Sequence, residues 1–262
     1  MIKGKGIIES ENYYGHMKRL SWILNHTSKG DKILDVGCGT GSYITIPLIL
    51  EGRDAYGVDV GNESIVEANR ILHINGLSGN RFFCKNISEV AERYDVVVCS
   101  EVMEHIPDEQ LSAFVEQLCS HLKNDGKLII TVPNKNGSFE LSNKYLKSFG
   151  ELLYKWIRIS VMQLRKIKNY IRCTSPSNNN VYAASLTKTD TPHVQFFSFN
   201  DVVEIFSCKG FRLDDFGGSV MFADYFTTHF LFECQFLYKL NNWLGDCFPF
   251  RASGYYFCFR RK

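Results

Sequence analysis

The chain has 262 residues, of which 45% are hydrophobic, and this is enough for one large α/β domain with additions. Its formal net charge of +2 gives no overall attraction to nucleic acid. Nine cysteines without a CxxC pair argue against a disulfide framework or a zinc site and indicate a reducing cytoplasm. The first residues lack the apolar core of a secretory signal, and no run approaches the ~20 apolar residues of a membrane span.

The first predicted elements are a helix over residues 11–28 and a short apolar strand at residues 32–37. The strand runs directly into a turn in which Gly37, Gly39 and Gly41 alternate with other residues. Alternating glycines let the backbone bend sharply and leave no side chain between it and a ligand. Such a turn after a first strand is typical of a nucleotide-cofactor site, although ordinary strand–turn–helix connections also contain glycines.

An acidic residue lies near the end of the second predicted strand, which covers residues 54–60. Asp59 follows Gly41 by 18 residues. A carboxylate there can accept hydrogen bonds from both ribose hydroxyls of an adenosyl group. It can also cap the helix that follows. Because one fold predicts both the glycine turn and this acid, we favour the cofactor site.

Helices and strands continue to alternate along the chain. The predicted elements after the glycine turn are helix 42–50, strand 54–60, helix 63–75, strand 81–84, strand 94–99, helix 107–122 and strand 127–132. Strand 94–99 is a continuous apolar run, which is typical of a strand buried on both faces of a parallel sheet. We therefore predict a parallel sheet with helices on both faces.

The alternation stops after Pro133 and resumes toward the end of the chain. The later predicted elements are helix 200–208, strand 211–215 and strand 255–260. We therefore predict one domain over residues 1–262, interrupted by insertions at residues 135–192 and 218–252.

The glycine turn, with Asp35 two residues before it, resembles the S-adenosylmethionine (SAM) loop of class I methyltransferases. The segment CSEVMEHIPD at residues 99–108 looks like the equivalent segment of the methyltransferases related to the ubiquinone-biosynthesis O-methyltransferases. Residues 131–134 and 193–198 are similar to the same group. The chain thus resembles a class I SAM-dependent methyltransferase.

The resemblance covers residues 31–134 and 193–216, and not the insertion at 135–192. Residues 240–260 are more loosely similar to bacterial methyltransferases of surface-polysaccharide synthesis. The resemblance implies a Rossmann-like α/β fold with a seven-stranded sheet in the order 3-2-1-4-5-7-6. Strand seven would be antiparallel, helices would cover both faces, and the two insertions would form a helical cap at the acceptor region.

The resemblance also implies a cofactor site that binds SAM and releases S-adenosylhomocysteine, with no metal required. The implied cofactor-binding residues are Asp35, Gly37, Cys38, Gly39, Gly41, Asp59, Val60, Asn86, Ile87, Ser100 and Glu101. Asn86 stands where the family usually has an acid, and its carbonyl can still accept from the adenine amino group. Tyr14 either closes over the donor or packs as an aromatic side chain.

Methyl transfer to a hydroxyl requires removal of its proton, so a general base helps. His105, after strand four, and His193, at the end of the first insertion, are the candidate catalytic residues. His105 can instead pack at the next helix, and His193 can be a loop histidine that bonds to the backbone. Glu101 can attract the sulfonium, and Glu104 can orient His105 or lie at the surface. The histidines interpreted as structural are His16, His26, His73, His121 and His229.

Each insertion has a distinct composition. Residues 144–172 contain eight Lys or Arg and one acid, interleaved with apolar residues. Such a basic amphipathic segment can contact an anionic membrane at its inner face, form a lip for a phosphate-bearing acceptor, or be a lid with solvated lysines. The second insertion is rich in aromatic residues and can roof an acceptor pocket or form a dimer face.

Three functions follow from these observations. The favoured one is a cytoplasmic O-methyltransferase acting on a sugar, a glycan or a lipid-linked intermediate, with direct in-line methyl transfer. The alternatives are an O-methyltransferase acting on a quinone precursor or another small aromatic, and a non-catalytic SAM-fold binding protein. A pocket walled by aromatics would favour the quinone precursor, and weak SAM binding would favour the binding protein. No nucleic-acid partner is expected.

Overall fold

The computed structural model describes residues 13–138, 140–141, 193–223 and 235–262. The strands are β1 Lys32–Val36, β2 Asp54–Asp59, β3 Phe82–Cys84, β4 Tyr94–Ser100, β5 Leu122–Pro133, β6 Phe211–Gly218 and β7 Gly254–Arg261. Together they form one sheet in the order β3-β2-β1-β4-β5-β7-β6.

All neighbouring strands from β3 to β5 pair in parallel. Strand β7 lies between β5 and β6 and is antiparallel to both. The predicted strand order and the antiparallel seventh strand are therefore confirmed. Because the parallel strands share one direction, the loops that follow β1, β2, β4 and β5 meet at the same edge of the sheet, where open α/β folds bind ligands.

Helices cover both faces of this sheet, as predicted. They are α1 Tyr13–Asn25, α2 Thr45–Leu50, α3 Asn62–Ile74, α4 Asp108–Ser120, α5 Phe199–Cys208 and α6 Gln235–Cys247. The side chains of β4 alternate between two apolar clusters: Val97 and Cys99 pack with α4 and α5, and Val96 and Val98 pack with α1 and α2. An apolar strand in this position is buried on both sides, which explains its uninterrupted hydrophobic sequence.

Two element boundaries differ from the prediction. Helix α2 begins only at Thr45, because Gly41 adopts a left-handed backbone conformation and the chain needs a further turn before it becomes helical. Strand β5 begins earlier than predicted, at Leu122, which pairs with Tyr94 before the register shifts. The charged residues after Leu122 look like a turn in the sequence, yet they continue the strand.

Helix α6 packs on the domain through its polar side. The buried Asn241 donates from Nδ2 to the carbonyl of Phe222 at 2.9 Å, and Lys18 of α1 forms an ion pair with Asp246 at 2.8 Å. On the opposite side, Phe236 is 72% exposed and Trp243 is 57% exposed. The helix therefore presents aromatic side chains outward.

Most of the predicted cap lies outside the described residues, including the basic segment 144–172 and residues 224–234. The predicted extent of the single domain and of its insertions stays a prediction. None of the helices that the structure describes combines the length and apolar character needed to cross a bilayer.

Candidate active site

The loop after β1 is shaped by its three glycines. Gly37, Gly39 and Gly41 have φ angles of +72°, +53° and +67°, in the left-handed region that favours glycine. A Cβ atom on Gly37 would lie 2.5 Å from the side chain of Val102, and one on Gly41 would overlap the ring of Phe82. Neighbouring side chains therefore pack directly against the bare backbone of this loop.

Asp59 ties that loop to the end of β2. Its Oδ2 accepts a hydrogen bond from the backbone N–H of Gly39 at 2.8 Å, and its Oδ1 accepts from Gly61 at 2.7 Å. The residue at the N-cap of α3 is Gly61, so Asp59 is not the capping residue itself. Val60, beside it, exposes 73% of its surface and offers an apolar patch next to the glycine loop.

Asp35 supports the loop from inside the domain. It is 2% exposed, and its Oδ2 accepts from the hydroxyl of Thr45 at 2.6 Å, which links β1 to the start of α2. Burial raises the pKa of Asp35 to about 7. Burial likewise raises the pKa of the Cys38 thiol, so this cysteine is an unreactive thiol.

Asn86 caps the short 3₁₀ turn at residues 87–89. Its Oδ1 accepts from the backbone N–H and the hydroxyl of Ser88, each at 3.1 Å, while Glu89 accepts from the Asn86 N–H at 2.7 Å. The carbonyl that was expected to face adenine is thus engaged locally, and the buried Ile87 follows it. The adenine contact of both residues stays a prediction.

The end of β4 brings Ser100 and Glu101 to the same edge of the sheet. Ser100 and Thr131 share a hydroxyl–hydroxyl hydrogen bond of 2.7 Å, and Thr131 donates to Oε1 of Glu101 at 2.9 Å. Glu101 has a φ of +56°, and among the described residues it alone is a non-glycine in this region. Strained backbone of this kind clusters at functional sites.

Sequence analysis missed two residues of α1 that reach this site. Arg19 is 9% exposed and lies 3.3 Å from Oε1 of Glu101. It donates from Nη2 to Nδ1 of His16 at 2.7 Å, and His16 stacks on Tyr43 with ring centroids 4.1 Å apart. Burial and the guanidinium lower the pKa of His16, which is therefore neutral. The spacing of His16 and Arg19, three residues apart on one helix, could have indicated that they lie side by side.

The two predicted catalytic histidines lie together. The ring centroids of His105 and His193 are 5.1 Å apart, and Nδ1 of His193 lies 3.3 Å from Oε1 of Glu140. Glu104 is 1% exposed, and its carboxylate oxygens have no hydrogen-bond partner among the described residues. Glu104 is therefore not a surface residue, and burial raises its pKa.

Three groups that can bind a proton or a cation lie close together here. Glu104, His105 and His193 each bring one nitrogen or oxygen atom within 4.8 Å of the others. The same atom types bind divalent cations in proteins. The expectation that the reaction requires no metal stays a prediction.

A cavity of about 180 Å³ lies beside this cluster, between α1 and the ends of β5, β6 and β7. Its polar lining includes His16, Arg19, Glu101, His193 and Ser219. The aromatic side chains of the second insertion that the structure describes do not line it. The remaining walls include Pro133, Ala223 and Tyr256, so the cavity combines polar groups with a smaller apolar part.

Two of the histidines interpreted as structural form hydrogen bonds away from the cavity, between elements of the fold. His26 bonds to Asp215 at 2.9 Å, and His121 bonds to the carbonyl of Val90 at 2.8 Å. His229 and the side chain of Tyr14 lie outside the described residues.

Comparison with known proteins identifies the family. A family model described as a methyltransferase domain matches residues 14–214. The chain belongs to the class I SAM-dependent methyltransferases. The match covers more than half of the chain and confirms the resemblance carried by the glycine loop and the segment after β4.

Curated relatives of this methyltransferase include O-methyltransferases. The ubiquinone biosynthesis O-methyltransferase of Idiomarina loihiensis is 33% identical over 127 residues, which are 45% of this chain and 49% of that protein. The magnesium-protoporphyrin O-methyltransferase of Synechocystis is 32% identical over 152 residues, which are 55% of this chain and 63% of that protein. The methyltransferase thus spans about half to two thirds of the length of these relatives.

A solved structure shares the fold. Magnesium protoporphyrin IX methyltransferase from Synechocystis, with bound S-adenosylhomocysteine, superposes with a TM-score of 0.60 and 18% identity. The match covers 99% of this chain and 90% of that one. At this level of identity, the likeness concerns the fold alone.

Proposed function

We propose that this methyltransferase transfers the methyl group of SAM to a hydroxyl oxygen of a small polar acceptor bound in the cavity beside α1. One observation carries the proposal. His193 lines a polar cavity at the same edge of the sheet as the glycine loop and Asp59. Donor and acceptor sites would then be neighbours, as in-line transfer requires.

The donor half of the proposed site is the loop of Gly37, Gly39 and Gly41 with Asp59. SAM supplies a methyl group on a positively charged sulfur, which becomes a neutral thioether when the methyl leaves. The bare backbone of the loop would accommodate the donor closely, and the Asp59 carboxylate would accept from its ribose hydroxyls. Glu101, held by Thr131, would attract the donor's positive charge.

The acceptor half is the cavity with the two histidines. An acceptor hydroxyl within hydrogen-bond reach of His193 or His105 would lose its proton to that imidazole as the methyl group arrives. Alignment of the two reacting atoms and exclusion of water would supply most of the rate.

The polar lining of the cavity favours a hydroxyl-rich acceptor such as a sugar, a glycan end or a lipid-linked sugar. Arg19, Glu101 and Ser219 offer donors and acceptors that a polyhydroxylated ring can use.

The second candidate acceptor is the phenolic hydroxyl of a quinone precursor or another small aromatic. The names of the relatives favour it, because the ubiquinone biosynthesis O-methyltransferase of Idiomarina loihiensis is 33% identical over the matched part. A phenol loses its proton more readily than a sugar hydroxyl, so His193 would serve it equally well.

Two measurements test the proposal in sequence. Calorimetry should detect SAM binding to the wild-type protein and strongly weakened binding to Gly39→Val, because a branched side chain would occupy the loop and strain its backbone. Labelled SAM is then incubated with methyl glucoside, lipid-linked sugars and catechol, and methylated products are identified by mass spectrometry.

The outcomes separate the candidates. Methylation of sugars before catechol supports the glycan acceptor, and the reverse order supports the aromatic one. SAM binding unchanged by Gly39→Val would overturn the donor site. Very weak SAM binding to the wild-type protein would favour a non-catalytic binding protein instead.

A further inference from the structure

We propose that Glu140 is a positioning residue for His193 and that the two side chains form a proton-accepting dyad at the acceptor cavity. The inference rests on the proposed function and deepens it, because it selects His193 over His105 as the general base. Glu140 lies 53 positions before His193, so no local pattern joins them.

The contact with Glu140 selects one tautomer of His193. Oε1 of Glu140 lies 3.3 Å from Nδ1 of His193, and the Glu140 side chain is only 14% exposed. A carboxylate at this position accepts the proton of Nδ1 and holds one tautomer of the ring. Nε2 is then the nitrogen that can take a proton from an acceptor in the cavity lined by His193.

Both members of the dyad are held by the ends of central strands. Glu140 lies in a helical turn that follows β5, where the N–H of Leu141 donates to the carbonyl of Gly137 at 3.0 Å. The hydroxyl of Ser138 in the same turn donates to the carbonyl of Met221 at 2.6 Å. This turn therefore has a fixed place beside the cavity.

His193 is anchored to the loop after β4. The backbone N–H groups of Val194 and Gln195 both donate to the carbonyl of Glu104, at 2.8 and 3.1 Å. The Gln195 side chain donates to the carbonyl of Ile106 at 2.6 Å. The backbone that follows His193 is thus held by main-chain contacts and its imidazole by Glu140, which is the support that a precise base needs.

The charges around His193 favour its protonated product. The hydrogen bond that His193 donates to Glu140 raises the pKa of His193 most strongly, the charges of Glu140 and Glu101 add to the effect, and burial opposes them. The other charged or titratable groups at this site are His105, Glu104, Arg19, His16 and Tyr256. Burial raises the pKa of Glu104 and favours its neutral form, so Glu140 is the nearby carboxylate that balances an imidazolium.

In the proposed step, one bond forms as another breaks. The acceptor oxygen forms a bond to the methyl carbon as the methyl–sulfur bond breaks, and the sulfur keeps the bonding electron pair. The hydroxyl proton passes to Nε2 of His193, and the resulting imidazolium is paired with the Glu140 carboxylate. The proton then leaves to solvent and the base is restored.

The first test needs no acceptor. The Cε1–H resonance of His193, assigned with His193→Gln, is followed by NMR through a pH titration of the full chain. We expect the titration midpoint to fall in Glu140→Gln and to return toward the wild-type midpoint in Glu140→Asp, because only a carboxylate stabilises the imidazolium. An unchanged midpoint in Glu140→Gln would overturn the dyad.

The second test separates positioning from folding. With catechol and methyl glucoside as probes and labelled SAM, Glu140→Gln should lower kcat about tenfold or more. KM for SAM should stay within about twofold, and the acid limb of the pH profile should move to lower pH. Glu140→Asp should recover part of kcat. Equal loss in kcat and in SAM affinity would assign Glu140 a structural role and overturn the proposal.

A matched control is Glu116→Gln. Glu116 forms an ion pair with Lys209 at 2.8 Å on the surface of α4, far from the proposed machinery, and its loss should leave kcat unchanged. Failure of the proposed function would differ from failure of the dyad, because the wild-type protein would then bind SAM and methylate no probe. The NMR titration would still decide whether Glu140 and His193 are paired.

Discussion

Gly41 and Gly76 have nearly the same backbone conformation and different surroundings. Their φ angles are +67° and +69°, but a Cβ atom on Gly41 would overlap the ring of Phe82, whereas the space around Gly76 is open. We expect Gly76→Ala to lower the free energy of unfolding by ~1 kcal/mol through backbone strain. Gly41→Ala should cost ~1–3 kcal/mol more, because the ring must move.

Urea denaturation of the two glycine variants side by side measures this difference. Equal losses would contradict the packing of Phe82 against the loop. A larger loss in Gly41→Ala would show that the glycine loop is also held in place by Phe82 of β3.

Asp35 makes the stability of the domain depend on pH. Its pKa is raised to about 7 by burial, so the folded state keeps a proton that the unfolded chain releases above about pH 4. Stability is therefore highest below about pH 4 for this group, falls as the pH rises to about 7, and is constant above it. Asp35→Asn cannot ionise and should lose this dependence.

Between about pH 5 and about pH 8, the free energy of unfolding of the wild-type protein should fall by ~1–3 kcal/mol more than that of Asp35→Asn. Urea denaturation at both pH values measures it. The exposed Asp125→Asn serves as control and should keep the wild-type pH dependence. An equal pH dependence in Asp35→Asn would mean that the buried carboxyl does not stay protonated.

At the scale of residues, sequence reasoning finds groups whose neighbours lie along the chain. Gly37 and Asp59 are read from a strand, a turn and the next strand, and Asp59 indeed bonds to the glycine loop. Arg19 and Glu140 were missed because their partners, Glu101 and His193, come from distant segments. Only the folded chain brings these charges together.

Helix α5, which follows the segment of His193, begins with a capping box. The hydroxyl of Ser198 accepts from the N–H of Asp201 at 3.3 Å, and the Asp201 side chain accepts from the N–H of Ser198 at 2.8 Å. We expect Ser198→Ala to lower the free energy of unfolding by ~1 kcal/mol. Ser207→Ala, near the other end of the same helix, should change it little.

Chemical denaturation of both serine variants checks this expectation. If the two substitutions have the same effect, the cap does not stabilise α5. Because the same segment carries His193 a few residues earlier, a measurable loss in Ser198→Ala would also show that the proposed base precedes a well-anchored helix start.

At the scale of elements, hydrophobic periodicity was sufficient where a strand is buried on both faces. β4 was predicted almost to the residue because residues 96–99 form an unbroken apolar run. The start of β5 was missed because residues 123–125 are charged or polar and exposed, and they lie in a register shift between Leu122 and Lys127, which both pair with β4. Tertiary pairing there outweighs local preference.

At the scale of the whole molecule, the basic segment 144–172 carries the prediction of membrane contact. If this segment contacts an anionic membrane, and is neither a lid nor a lip for the acceptor, the protein should co-float with vesicles containing phosphatidylglycerol at low ionic strength. It should dissociate at about 0.5 M salt, because charges are then screened beyond a few Å. Neutral phosphatidylcholine vesicles should not retain it.

Charge reversal tests the same prediction. Arg165→Glu, Lys166→Glu and Lys168→Glu together should abolish co-flotation, whereas Arg165→Lys, Lys166→Arg and Lys168→Arg should preserve it. Co-flotation that persists after charge reversal would exclude an electrostatic membrane contact through this segment.

The outward aromatic side of α6 has a spectroscopic consequence. With more than half of its surface in water, the Trp243 indole should emit at long wavelength and be quenched readily by acrylamide. Anything that comes to rest on this helix, from the same chain or from outside, would exclude the quencher and shift the emission to the blue. Trp243 is therefore a built-in optical reporter of what the helix meets in solution.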